Sequence, residues 1–134
     1  MTGENDIGFL LRKMKPKHVL GEYVFCSIDE SDEKLVQTPL LVFREDKGLT
    51  VVIPREEAES HQLKFESTWG LITLSVHSDL TAIGFLARIT QHLAQAGVSV
   101  NVVSAYYHDH LFVPYPEVVR VVELLTSLSK AYSE

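Results

Sequence analysis

The sequence predicts an α+β protein in which helices cover one face of antiparallel sheets, in the order strand, helix, hairpin, helix. Three observations carry that prediction. Short runs alternate their side chains as half-buried strands do. "WGLITLSVHS" sets Leu71, Thr73, Ser75 and His77 against Ile72, Leu74 and Val76. Other stretches repeat their apolar residues at helical spacing. The two halves of the chain also share a pattern. Val51-Val52-Ile53-Pro54 corresponds to Leu111-Phe112-Val113-Pro114, an offset of 114 − 54 = 60 residues.

Each element follows from local chemistry. Asn5 or Asp6 caps a first helix whose Ile7, Leu10, Leu11 and Met14 share a face. Lys13 and Lys15 suit its C-terminus, and Pro16 ends it. "EYVFCSIDE" reads as a strand and "DESDEK" as a polar loop. Leu40 to Phe43 and Leu49 to Ile53 form a hairpin around Gly48. Arg55 to His61 is a short helix, and Phe65 lies on a short strand. After "WGLITLSVHS", Ser78 or Asp79 caps a long helix. Its buried face is read as Leu80, Ile83, Ala87, Thr90 and Ala94, widened by Leu86 and Leu93, with Gly97 as its stop. "VSVNVVSAYY" and "LFVP" are strands joined by the His108-Asp109-His110 turn. Pro116 opens a last helix that buries Val118, Val121, Val122, Leu125 and Leu128.

The first half, 1–66, carries its helix ahead of its strands, whereas the second, 67–134, has one between its first and second strands. That order suggests a permuted or a segment-exchanged copy. The second half ends on a helix and must borrow a closing strand, from the Leu63 to Glu66 region or from another chain. A long strand through Phe65 to His77 is a candidate for sharing between the halves.

Composition narrows the function. The chain has 134 residues, 46% of them hydrophobic, enough for a packed core. Its formal net charge is -6 and it has no dense basic cluster, which disfavours a nucleic-acid partner. No apolar run approaches the ~20 residues that cross a bilayer. The polar start, Met1 to Asp6, does not read as a secretory signal. With Cys26 the single cysteine, no intrachain disulfide is available, and a cytoplasmic location is expected.

Catalytic signatures are weak. His108 and His110 share a side if the backbone is extended, but zinc sites need three or four ligands and the familiar spacings are missing. The turn reads as structural, with Asp109 bonding local backbone N–H groups. Cys26 sits mid-strand without a neighbouring base and reads as core. No catalytic residue, metal ligand or cofactor is assigned, and no enzyme activity is expected.

The segment "WGLITLSVHSDLTAIGFLARITQHLAQAGVSVNVVSAYYHDHLFVP" resembles the ACT domain, the regulatory module of amino-acid metabolism. More closely, the chain resembles small bacterial proteins made of two ACT-like halves with no enzyme domain. "GEYVF", "ITLSVHSDLTAIG" and "NVVSAYYHDHLFVP" carry the likeness. It implies a ferredoxin-like fold and a small-molecule ligand, an amino acid, as regulatory signal. It places the ligand at His77, Ser78, Asp79, Leu80, Thr81, Ala82, Ile83 and Gly84, near Asn101 and Val102. Many ACT domains have a Pro-Gly pair in this loop, where this chain has Asp79-Leu80 and a later Gly84. A helix N-terminus offers N–H groups to a carboxylate, and Asp79 an acceptor to an ammonium. Ser78 or Asp79 capping its own helix accounts for the same residues. Open sheet edges favour a homodimer, and also permit a pure interaction module.

Overall fold

A computed structural model describes residues 6–79 and 83–132. The elements are α1 (Ile7–Lys13), β1 (Pro16–Ile28), a 3-10 helix (Glu30–Leu35), β2 (Leu41–Glu45), β3 (Gly48–Pro54), α2 (Arg55–Ser60), β4 (Trp69–Leu74), α3 (Phe85–Gln95), β5 (Asn101–Ser104), β6 (Asp109–Pro114), a 3-10 turn (Tyr115–Glu117) and α4 (Val118–Ala131). They form two compact units, 21–69 and the combination of 1–20 with 70–134. The predicted α+β class and its antiparallel pairing hold.

In the unit of residues 21–69 the strand order is β2-β3-β1. Both pairings are antiparallel, with Val24 opposite Ile53 and Val42 opposite Val51. One face buries Val24, Cys26, Ile28, Leu49, Val51 and Ile53 beneath Ala58 of α2. The segment around Phe65 is not a strand; Phe65 packs as a partly buried side chain against this core. Asp29 begins the 3-10 helix by accepting from the Ser31 N–H at 2.9 Å, which holds its carboxyl below the usual range.

In the other unit the order is β1-β4-β6-β5. The core is one cluster that includes Leu10, Leu11 and Met14 of α1, Ile72 and Leu74 of β4, Phe85, Ile89 and Leu93 of α3, and Val121 and Leu125 of α4. The first helix therefore packs with the second half of the chain, the exchange that the element order suggested. The closing strand is the start of β1, whose residues 16–20 belong to this unit. Leu63 to Glu66 does not supply it. Nor does a long strand run from Phe65 to His77; β4 is Trp69–Leu74, and the long strand divided between the two units is the 13-residue β1.

Helix ends are satisfied in specific ways. The Asp6 carboxylate accepts from the Phe9 N–H at 3.2 Å and caps α1. Ser129 of α4 donates to the Arg12 carbonyl at 2.9 Å, and Arg120 donates to the Ala96 carbonyl at 2.7 Å. At the end of α3, Gly97 N–H bonds the Ala94 carbonyl and Val98 N–H bonds the Leu93 carbonyl, each at 3.0 Å. That is a Schellman motif, with buried Val98 and Leu93 in the same core. Gly97 has φ +78° and open space where a Cβ would project. Gly97→Ala is therefore expected to lower stability by about 1–2 kcal/mol through backbone strain alone. Denaturant titration reads this directly; an unchanged midpoint would contradict it.

The start of α3 differs from the sequence expectation. Neither Ser78 nor Asp79 caps it. Gly84, at φ +92°, is the N-cap and the helix begins at Phe85. The buried residues are Phe85, Ile89 and Leu93; of the expected face Leu93 is buried and Leu86 partly so, while Ala87 and Ala94 are exposed. Ile83 is 84% exposed, while Leu80, Thr81 and Ala82 lie outside the described residues. Ser78 and Asp79 were natural caps in sequence, but Ser78 is committed elsewhere.

Candidate functional site

Ser78 follows β4, buried at the end of the segment that leaves the sheet. Its hydroxyl donates to the Asp109 carboxylate at 3.0 Å. Asp109 opens β6 and is 5% exposed. The expectation that Asp109 bonds its own turn is thus corrected. The turn closes by backbone, with the Ala105 N–H on the His108 carbonyl at 3.0 Å, while Asp109 reaches across to Ser78. Strand alternation explains it: Asp109, Leu111 and Val113 are buried while His110 is half-buried.

A cavity of about 100 Å³ opens beside this pair. Ser78, Asp79, Gly84, Phe85, Leu86, Ala87, Ser104 and Asp109 line it. β4 delivers Ser78 and Asp79, β5 ends at Ser104, β6 begins at Asp109, and α3 presents its first turn. The first N–H groups of a helix have no intrahelical carbonyl, and the α3 N-cap has no side chain to take one. A left-handed Gly84 also keeps the backbone open here. A Cβ at Gly84 would come within 2.7 Å of Ile7 Cδ1.

Of the residues expected at the site, Ser78, Asp79 and Gly84 line the cavity. His77 stands next to them with its ring 5.6 Å from that of Tyr107. Asn101 and Val102 sit at the start of β5, opposite Phe112 and Leu111, and do not line it. Ile83 points to solvent. Ser104, Asp109 and the first turn of α3 join the site without having been expected there. The Asp109 position had a signal in the alternation of the His108-Asp109-His110 segment.

His110 instead meets Thr73 across the sheet, Nδ1 to Oγ1 at 2.9 Å. Burial and the neighbouring His108 push its pKa down, against a smaller opposing pull from Asp109. A histidine with a depressed folded-state pKa binds fewer protons folded than unfolded. Its contribution to stability is complete above the unfolded value of about 6.5 and is lost as pH falls through the lower folded value. The melting temperature is therefore expected to drop below that pH, and His110→Asn to flatten the slope. A slope unchanged by the substitution would refute the assignment. Among the described residues, no three His, Cys, Asp or Glu side chains converge as a metal set. Cys26 is buried in the 21–69 core, and burial pushes its thiol pKa up, away from a reactive thiolate. No helix among the described residues is long and apolar enough to cross a membrane.

Two family profiles described as ACT domain match residues 2–69 and 66–127. The chain belongs to the ACT-domain family. It carries two such domains in tandem and no catalytic domain is evident in it. It is similar to a Vibrio cholerae protein of unknown function described as a possible transport protein. The two are 37% identical, cover 91% of this chain and 94% of that one, and superpose with a TM-score of 0.82. An Agrobacterium tumefaciens protein is 19% identical over 87% of this chain and 90% of that one, at TM-score 0.72. The regulatory subunit of aspartate kinase from Thermus thermophilus shares the fold at 8% identity and TM-score 0.65, covering 87% of this chain and 97% of that one. No match is found among curated proteins. ACT domains typically bind amino acids in regulatory roles and often oligomerise.

Proposed function

We propose that this ACT protein is a non-catalytic regulatory module that binds a small amino acid in the cavity between the end of β4 and the start of α3. The observation that carries the reading is that cavity. It joins a helix N-terminus, suited to a carboxylate, to Asp79, Asp109, Ser78 and Ser104, suited to an ammonium. Ligand contacts then centre on His77, Ser78, Asp79 and Gly84, with Asn101 and Val102 as flanking positions.

The reading includes a homodimer working in the cytoplasm. Support for self-association comes from β2, which ends its strand order and leaves Phe43 62% exposed.

A thermal-shift screen of the twenty amino acids tests the function. A ligand at 100 times its Kd adds about 2.7 kcal/mol to stability. At least one amino acid should raise the melting temperature of the parent, and Ser104→Val should weaken the response. No response to any amino acid would reject the reading.

A further inference from the structure

We infer that the groove between α3 and α4 is a second ligand site, one for a small oxyanion, a phosphate or carboxylate group held at Arg88 and His92. It shares no lining residue with the cavity assigned to the amino acid and does not rest on that reading.

Helical spacing builds the site. Arg88, Gln91, His92 and Gln95 fall at i, i+3, i+4 and i+7 along α3, so one side of the helix carries all four. With Leu128 of α4 they line a cavity of about 310 Å³. The lining holds no Asp or Glu, in a chain that has 18 of them and a formal net charge of -6. Its polar groups are a guanidinium, two carboxamides and an imidazole, and all can donate. Such a lining favours a ligand rich in acceptors, and an oxyanion presents several at once.

Two of these groups lack the partners their chemistry calls for. Arg88 forms no ion pair with a carboxylate; the ion pairs among the described residues fall on Arg44, Arg55 and Arg120. Its guanidinium lies over the Tyr132 ring, 5.2 Å from the centroid, and donates to the Tyr132 hydroxyl. That contact orients the fork and leaves its remaining N–H groups for a bidentate partner. His92 is half-buried, and its Nε2 is sealed from solvent without a hydrogen-bond partner among the described residues. A buried polar atom left unpaired is destabilising, and a ligand oxygen seated beside the ring removes that deficit. In the tautomer that protonates Nε2, the imidazole donates to the same anion that Arg88 holds.

The test titrates the full-length labelled protein with inorganic phosphate and, separately, with succinate, sodium chloride holding the ionic strength constant. At least one anion should give saturable shifts at the side-chain amides of Gln91 and Gln95 and at the His92 imidazole, with Ser78, Gly84 and Ser104 unmoved. Saturation by phosphate alone assigns a phosphoryl ligand, and by succinate alone a carboxylate. Arg88→Gln stays polar but loses the charge, and should weaken binding about tenfold or more, the worth of one charged hydrogen bond. Lys64→Gln removes the same charge outside the lining and should leave affinity unchanged. Should Arg88→Gln fold poorly, Gln91→Glu places an acid in the lining at an exposed position and should weaken binding likewise. No saturable shift at these residues with either anion, or an equal loss in Lys64→Gln and Arg88→Gln, would overturn the site. Shifts confined to Ser78, Gly84 and Ser104 would overturn it as well, whereas a silent amino-acid screen would leave it standing.

Discussion

Phe85→Ala is expected to cost about 3–5 kcal/mol, the range for truncating a buried aromatic. Phe85 is 2% exposed and belongs to the same cluster as Leu10, Ile72, Ile89 and Val121. As the first residue of α3 it also lines the candidate cavity. Truncation thus leaves a void in the core and a wider pocket at once. Ile83→Ala is the control, because a side chain 84% exposed should change stability by no more than about 0.5 kcal/mol. The pair separates the observed helix start from one that begins at Ser78 or Asp79, which would bury Ile83. Equilibrium unfolding in urea measures both. A larger loss at Ile83 than at Phe85 would contradict the packing described.

The second large effect concerns α1. Leu10, Leu11 and Met14 are completely buried in the core formed with residues 70–134. A Leu→Ala change at either position 10 or 11 is expected to cost about 2–5 kcal/mol. Losses of that size consume much of the 5–15 kcal/mol of a typical domain. A fragment of residues 67–134 lacks all three side chains and the start of β1, so it should not fold alone. Restoring residues 1–20 by a linker should recover a cooperative transition in circular dichroism. A fragment that melts cooperatively without them would show that α1 is dispensable.

Those two experiments mark where the sequence was easy to read and where it was not. The α1 face, the Asp6 cap and the Gly97 stop are local features, and each appears as its chemistry requires. The 60-residue correspondence is also visible in packing. Leu49–Pro54 and Asp109–Pro114 have the same order of buried and half-buried residues. Other features depend on distant partners. The opening of β1 carries no local strand signal, because Lys17, His18 and Leu20 are exposed and show no alternation toward a core. The start of α3 is not local either, because Ser and Asp before an apolar run are ordinary caps. Ser78 instead spends its hydroxyl on Asp109, 31 residues away, a choice no local window contains. For the same reason the sequence suggested Ser78, Asp79 and Gly84 for the site but missed Ser104 and Asp109.

The central claim is that a small amino acid binds where β4 gives way to α3. Amide chemical-shift mapping of the isotopically labelled protein during titration with the best responder from the thermal screen tests it most directly. The account predicts saturable shifts concentrated at Ser78, Asp79, Gly84 to Ala87, Ser104 and Asp109, with the 21–69 unit little changed. Shifts centred instead on the 21–69 unit, or no saturable shifts at all, would contradict it.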